Sequence, residues 1–153
     1  MVAAKNNKLS ASLEDYLEAI FNIAGTSKIA RSKDISELLG VSKSSVTGAL
    51  RLLKKKGFVN YKPYDYVTLT EDGQTAAAEV VRKHNILKSF FVNVLGVEPD
   101  EAQKAACKAE HALGLKIISK LLSYIAFVNE SNKNGYNLAE QFREFCKQNN
   151  RQG

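Results

Sequence analysis

RSKDISELLGVSKSSVTGALRLLKKKGF, residues 31–58, is the stretch whose reading decides the fold. It holds two helical segments with almost nothing between them. Ser32 is placed to cap a first helix running to Leu39, Gly40 permits a sharp turn, and Ser42 caps a second helix that closes on Lys54, Lys55, Lys56 and Gly57. Lysines in a last turn complement the helix macrodipole, and glycine supplies a left-handed exit. Two helices joined this tightly, the second rich in hydroxyl and basic side chains, form a helix-turn-helix signature.

Working outward, the period changes after Gly57. FVNYKPYDYVTLT (58–70) alternates β-branched or aromatic residues with polar ones around Lys62, Pro63, Tyr64 and Asp65, the pattern of a hairpin, and a hairpin after a helix-turn-helix is a wing. On the other side, SLEDYLEAIFNIAG (12–25) carries Leu13, Tyr16, Leu17 and Ile20 at helical spacing, with Ser12 and Asp15 spaced as a capping box. Downstream, Thr70 caps a long helix from about Glu71 to Leu95, Gly96 closes it, and Pro99 opens the next, which carries CKAEHALG (107–114). LKIISKLLSYIAFV (115–128) is a further apolar helix, NESNKNG (129–135) a polar linker, and YNLAEQFREFCKQ (136–148) a last amphipathic helix before a frayed tail.

The fold expected is therefore mainly α with a small β-hairpin, an N-terminal winged helix-turn-helix followed by an all-α module. The expected divisions are 1–75, 76–128 and a helical extension over 129–153. The apolar runs around Phe90 and Ile117 exceed what a small helical module buries alone, so it is expected to pair with a second copy.

Composition narrows the function. The 153 residues carry a net charge of +6, and between Lys28 and Lys62 the basic residues face only Asp34 and Glu37. A solvated face is the ordinary reading of such a run; on a winged helix it reads as a nucleic-acid surface. Lys43, Ser44, Ser45, Thr47, Gly48 and Arg51 would lie nearest the duplex, with Lys33 a further DNA-binding candidate and Lys62 and Tyr64 of the wing at the backbone on its flank. No apolar run reaches the roughly 18–20 residues of a membrane span, and MVAAKNNKLS (1–10) lacks a signal-peptide core, which places the chain in the cytoplasm. There Cys107 and Cys146 are expected as thiols, available as ligands.

Both histidines, His84 and His111, fall in the helical half. Cys107, Glu110 and His111 stand at i, i+3 and i+4, one face of one helical turn. Taken alone, the trio reads as packing, with Cys107 a small buried hydrophobe, Glu110 solvated and His111 at a boundary. Asp15 alone reads as part of a cap and Glu18 as a solvated acid.

SLEDYLEAIF, SSVTGALRLLKKKGFV, LTEDG, VVRKHNILKSFF and CKAEHALG occur in the order and at the spacings of a known group. The chain resembles the iron- and manganese-dependent repressors, the diphtheria toxin repressor and manganese transport regulator family, over nearly all residues up to about 127. The resemblance implies one divalent-metal site made from Asp15 and Glu18 of the first helix, His84 of the long helix, and Cys107, Glu110 and His111. It also makes the helical half the dimerisation and metal-binding domain. Asp15 and Glu18 resemble the manganese branch and Cys107 the iron branch, so Fe2+ is expected, with Mn2+ the alternative and Zn2+ or Co2+ able to substitute in vitro. Lys88 and Gln103 stand where the iron branch places a Glu and a His of an ancillary site, so the resemblance does not carry that second site over to this chain. Nor is the SH3-like domain of the longer members expected.

The function implied is a metal-activated repressor of metal-homeostasis genes, such as those for uptake transporters. It would bind an inverted-repeat operator on double-stranded DNA as a homodimer, with no membrane partner. A clean switch requires the metal to favour the binding form by about 5 kcal/mol. The alternatives are a winged-helix regulator without metal control, or a metalloenzyme. The second is disfavoured because every candidate residue would be a ligand, leaving no open position or spare base.

Overall fold

A computed structural model of the chain describes residues 8–26 and 29–150. Lys28 of the basic run, the first residues of the N-terminal stretch and the tail from 151 onward lie outside the described residues. The chain divides into two units, one reaching to Val81 and the other beginning at Arg82. No helix among the described residues is long and apolar enough to cross a membrane.

The first unit contains α1 (Ala11–Gly25), β1 (Ala30–Arg31), α2 (Ser32–Leu39), α3 (Lys43–Lys55), β2 (Val59–Tyr61), β3 (Tyr66–Leu69) and the start of α4 (Glu71–Ser89). Ser10, not Ser12, caps α1: its hydroxyl accepts from the Leu13 amide at 3.3 Å. The capping box read at Ser12 and Asp15 is thereby corrected, and Asp15 lies past the cap inside the helix. At α2 the cap is Arg31 rather than Ser32, its backbone N–H donating to the Asp34 carboxylate at 3.2 Å. Ser42 caps α3 as its sequence indicates, accepting from the Ser45 amide at 3.1 Å.

Apolar faces of these helices meet in one core. Leu17 and Ile20 of α1, Ile35 of α2, and Val46, Leu50 and Leu53 of α3 are buried there with Phe58 and Val67. The periodicity of α1 and α3 is thus the periodicity of a buried stripe. The hairpin gains a third strand. β1 pairs antiparallel with β3, Ala30 opposite Val67 and Arg31 opposite Tyr66, giving the order β1-β3-β2. At the wing tip the Asp65 amide donates to the Lys62 carbonyl at 3.1 Å, and Tyr64 is held at φ 66° with its side chain fully exposed. With proline second in such a turn, the third position usually takes glycine.

Thr70 locks the wing to α4. Its hydroxyl donates to the Gly57 carbonyl at 2.6 Å and accepts from the Gly73 amide at 3.1 Å, while its own amide donates to the Phe58 carbonyl at 3.0 Å. The helix start is drawn so close that a Cβ on Gly73 would stand 1.9 Å from the Phe58 carbonyl oxygen. This is the physical meaning of the glycine in LTEDG.

The second unit holds the rest of α4, a π-helical turn (Phe90–Val94), α5 (Pro99–Ala109), α6 (Leu115–Lys133) and α7 (Leu138–Asn150). The long helix read from Glu71 to Leu95 therefore changes pitch before it ends, its Leu95 amide reaching back five residues to Phe90 at 3.1 Å. Leu87, Val94, Ala106, Ile118, Ile125, Val128 and Ala139 form the core. α6 runs on through Lys133, so most of the segment read as a polar linker is its last turn. Polar sequence there reflects exposure, not loss of helix. Apolar side chains also flank the buried stripe of α6, with Ile117, Tyr124 and Phe127 on one side and Leu115 and Leu122 on the other, all exposed.

Candidate metal centre and DNA-contacting face

CKAEHALG does not lie on one continuous helix. α5 stops at Ala109, Glu110 is its C-cap, and the amides of Ala112 and Leu113 turn back to the Ala109 carbonyl at 3.0 and 3.2 Å. Adjacent residues on a continuing helix do not face each other. On this turn they do: a Glu110 carboxylate oxygen lies 3.4 Å from His111 Nε2. The other carboxylate oxygen is 2.7 Å from His84 Nδ1 of α4, and Cys107 Sγ is 3.8 Å from the same nitrogen.

One carboxylate thus stands between two imidazoles with a thiol beside them. His84 is 5 % and Glu110 1 % exposed, whereas Cys107 is an exposed residue. Both solvation assignments of the packing reading are corrected: the acid is buried and the thiol is not. A carboxylate is rarely taken fully out of water without charge to meet it, and nitrogen, oxygen and sulfur donors gathered in this way fit a first-row divalent cation. Gln103 turns its amide to Cys107 Sγ at 3.9 Å, which attaches it to the surroundings of this cluster.

Asp15 and Glu18 lie on α1 in the first unit, both half-buried and three positions apart. Burial, with the Asp15 carboxylate beside it, pushes the Tyr16 phenol above its ordinary pKa.

The DNA-reading candidates occupy the first unit. Lys43, Ser44, Ser45 and Arg51 are exposed on α3 and Thr47 half-exposed, Lys33 is exposed on α2, and Lys62 and Tyr64 are exposed on the wing. Some polar groups are already engaged. The Thr47 hydroxyl donates to the Lys43 carbonyl at 3.0 Å, and the hydroxyls of Ser44 and Ser45 lie 3.0 and 2.8 Å from that of Ser42. A groove of about 390 Å3 between α3 and the wing is lined by Lys33, Lys43, Thr47, Arg51 and Tyr64, joined by Arg31 of β1. Lys62 faces an adjoining hollow with Lys54 and Asn60. Arg31 was visible only as one charge in a basic run, because a two-residue strand leaves no periodicity to read.

Residues 8–67 match the iron-dependent repressor N-terminal DNA-binding domain, and residues 70–136 match the iron-dependent repressor metal-binding and dimerisation domain. The chain belongs to the iron-dependent repressor family. Among its relatives, an uncharacterized HTH-type transcriptional regulator of Methanocaldococcus jannaschii is 39 % identical over 114 residues, covering 74 % of this chain and 91 % of its own. The regulator MntR of Bacillus pumilus is 30 % identical over 127 residues, 83 % of this chain and 88 % of its own. The solved structure of a manganese-dependent transcriptional repressor in complex with manganese superimposes with a TM-score of 0.70 at 32 % identity, over 75 % of this chain. This chain spans about half the length of that structure, 53 %.

The repressor is therefore a metal-responsive DNA-binding protein built from a DNA-binding domain and a metal-binding domain that dimerises. Its family is one of transcriptional regulators, not enzymes.

Proposed function

We propose that the repressor binds an inverted-repeat operator, as a homodimer in the cytoplasm, when Fe2+ or Mn2+ occupies a site formed by Asp15, Glu18, His84, Cys107, Glu110 and His111. The observation that carries this reading is the buried Glu110 carboxylate held between His84 and His111 with Cys107 alongside. Asp15 and Glu18 enter from the family resemblance, three positions apart and both half-buried on α1. The proposed divisions remain a winged helix-turn-helix over 1–75, a dimerisation and metal-binding domain over 76–128 and an extension over 129–153.

When bound, a divalent cation supplies the positive charge that lets several carboxylates share one place. Glu110 holds the His84 ring through a direct contact at 2.7 Å, which orients it toward the other candidate ligands. Deprotonated imidazole, thiolate and carboxylate are all required, so acidification weakens the site. The thiol of Cys107 favours Fe2+, while the carboxylates and the likeness to a manganese-dependent repressor favour Mn2+. We assign Fe2+ first and Mn2+ as the alternative, with metal-uptake genes as the targets.

The test is anaerobic fluorescence anisotropy with a family-like inverted-repeat duplex, in chelator, Fe2+ or Mn2+. Metal is expected to tighten binding, and Cys107→Ala to weaken activation by Fe2+ more than by Mn2+. Equal affinity in chelator and metal would remove the metal switch and leave an unregulated winged-helix protein. Equal loss for both metals would remove only the thiol's role in metal choice.

On DNA, α3 is the groove-entering helix, with Lys43, Ser44 and Ser45 at phosphates, Thr47 and Arg51 at base edges or neighbouring phosphates, and Lys33, Lys62 and Tyr64 at the flanks. Arg51→Ala is expected to weaken operator binding and to flatten the dependence of log K on log salt by about one contact, a slope change of roughly 0.9. An unaltered slope would move Arg51 off the DNA face.

A further inference from the structure

We infer that Arg31 is a DNA-backbone contact, and that the groove between α3 and the wing is a cradle for a single stretch of phosphodiester. The inference rests on the DNA-binding face proposed above and adds a residue from outside both the recognition helix and the wing. Arg31 belongs to β1, and its pairing with Tyr66 fixes it to the base of the wing. Its side chain lines the same groove as Lys43 and Arg51 of α3 and Lys33 of α2.

Four cations thus converge on one groove of about 390 Å3, with Asp65 the acid on its wall. The Asp65 carboxylate is occupied in accepting from the Tyr66 amide at 2.8 Å. Arg31 itself is exposed. An open, polar groove ringed by guanidinium and ammonium groups suits an extended polyanion, and the planar fork of arginine suits phosphate oxygens. Tyr64 forms the outer wall in a backbone conformation that L side chains rarely adopt, with no burial in return. Strain of that kind collects at ligand-contacting positions.

The capping role of Arg31 is carried by its backbone amide, so a change of side chain separates that role from the DNA contact. The experiment measures binding of full-length Arg31→Gln to operator and to a scrambled duplex across a salt series, with Arg51→Ala alongside and thermal melting of each protein. The expected result is a slope lower by roughly 0.9 on both duplexes, binding weaker by roughly fivefold near 0.15 M salt, and an unchanged melting temperature. Arg31→Lys is expected to recover the slope. An unchanged slope overturns the assignment, as does a loss confined to the operator or one that tracks a lowered melting temperature and is not recovered by lysine. If Arg51→Ala also leaves the slope unchanged, the DNA face itself is misplaced; if only Arg31→Gln does, Arg31 alone is. The slope can be read with or without metal, so failure of the metal switch leaves this test intact.

Discussion

Glu110→Gln is expected to abolish metal-activated operator binding while leaving the fold in place. The change is nearly isosteric, so the side chain still fits its buried position, but two functions go at once. The proposed cation loses a carboxylate ligand, and His84 and His111 lose the charge that orients them at 2.7 and 3.4 Å. Loss of an outer-shell orienting group alone typically lowers metal affinity by about 10–100-fold. Removal of a group that is both ligand and orienter is expected to exceed that range. Melting in the presence and absence of Mn2+ reads the loss without DNA. A ligand at about 100 times its Kd stabilises the native state by roughly 2.7 kcal/mol, and that shift should vanish in the variant. A full metal-dependent melting shift in Glu110→Gln would exclude the carboxylate from the site.

The second large effect is expected at Gly73. A methyl group there must displace the Phe58 carbonyl, which stands 1.9 Å from where the Cβ would lie. That carbonyl is backbone, held by the Thr70 amide at 3.0 Å, so it has little freedom to yield. Overpacking usually costs about 1–3 kcal/mol, and a clash with fixed backbone belongs at or above the upper end. Gly73→Ala is therefore expected to lower the stability of the DNA-binding unit by about 3 kcal/mol, measured by urea denaturation. Gly48 is the matched control. It lies within α3, nothing approaches its Cβ position within 4 Å, and alanine there should stabilise the helix by about 0.5–1 kcal/mol. If both substitutions had the same effect, close approach at Phe58 would not be the reason for glycine in LTEDG.

The N-terminal architecture was legible because its determinants are local. Ser42, Gly40 and Gly57 each act within a few residues of where they stand, and the period of α1 and α3 reports directly on the core they bury. What escaped reading depends on tertiary pairing. β1 exists because Ala30 and Arg31 find Val67 and Tyr66 across the sheet. Ser10 takes the cap that Ser12 also had the chemistry to fill.

The metal candidates show the same division. A thiol, a carboxylate and an imidazole at helical spacing were visible, but not that α5 would end at Ala109, nor that Glu110 would be buried and Cys107 exposed. The family resemblance implies the six as a set. Of these, His84, Cys107, Glu110 and His111 meet within the second unit.

The π-helical turn at Phe90–Val94 bears on how this chain can vary in length. Each of its turns takes in a residue more than an α-turn would, and each residue of an ordinary helix advances the side chains by about 100°. A deletion here would not be absorbed as in a loop. It would let the ladder close at the tighter spacing and rotate Val94 away from the core it shares with Leu87. Sequence variation in this stretch is thus expected as exchange of one side chain for another, while the number of residues between His84 and Gly96 is held by the width of a single turn.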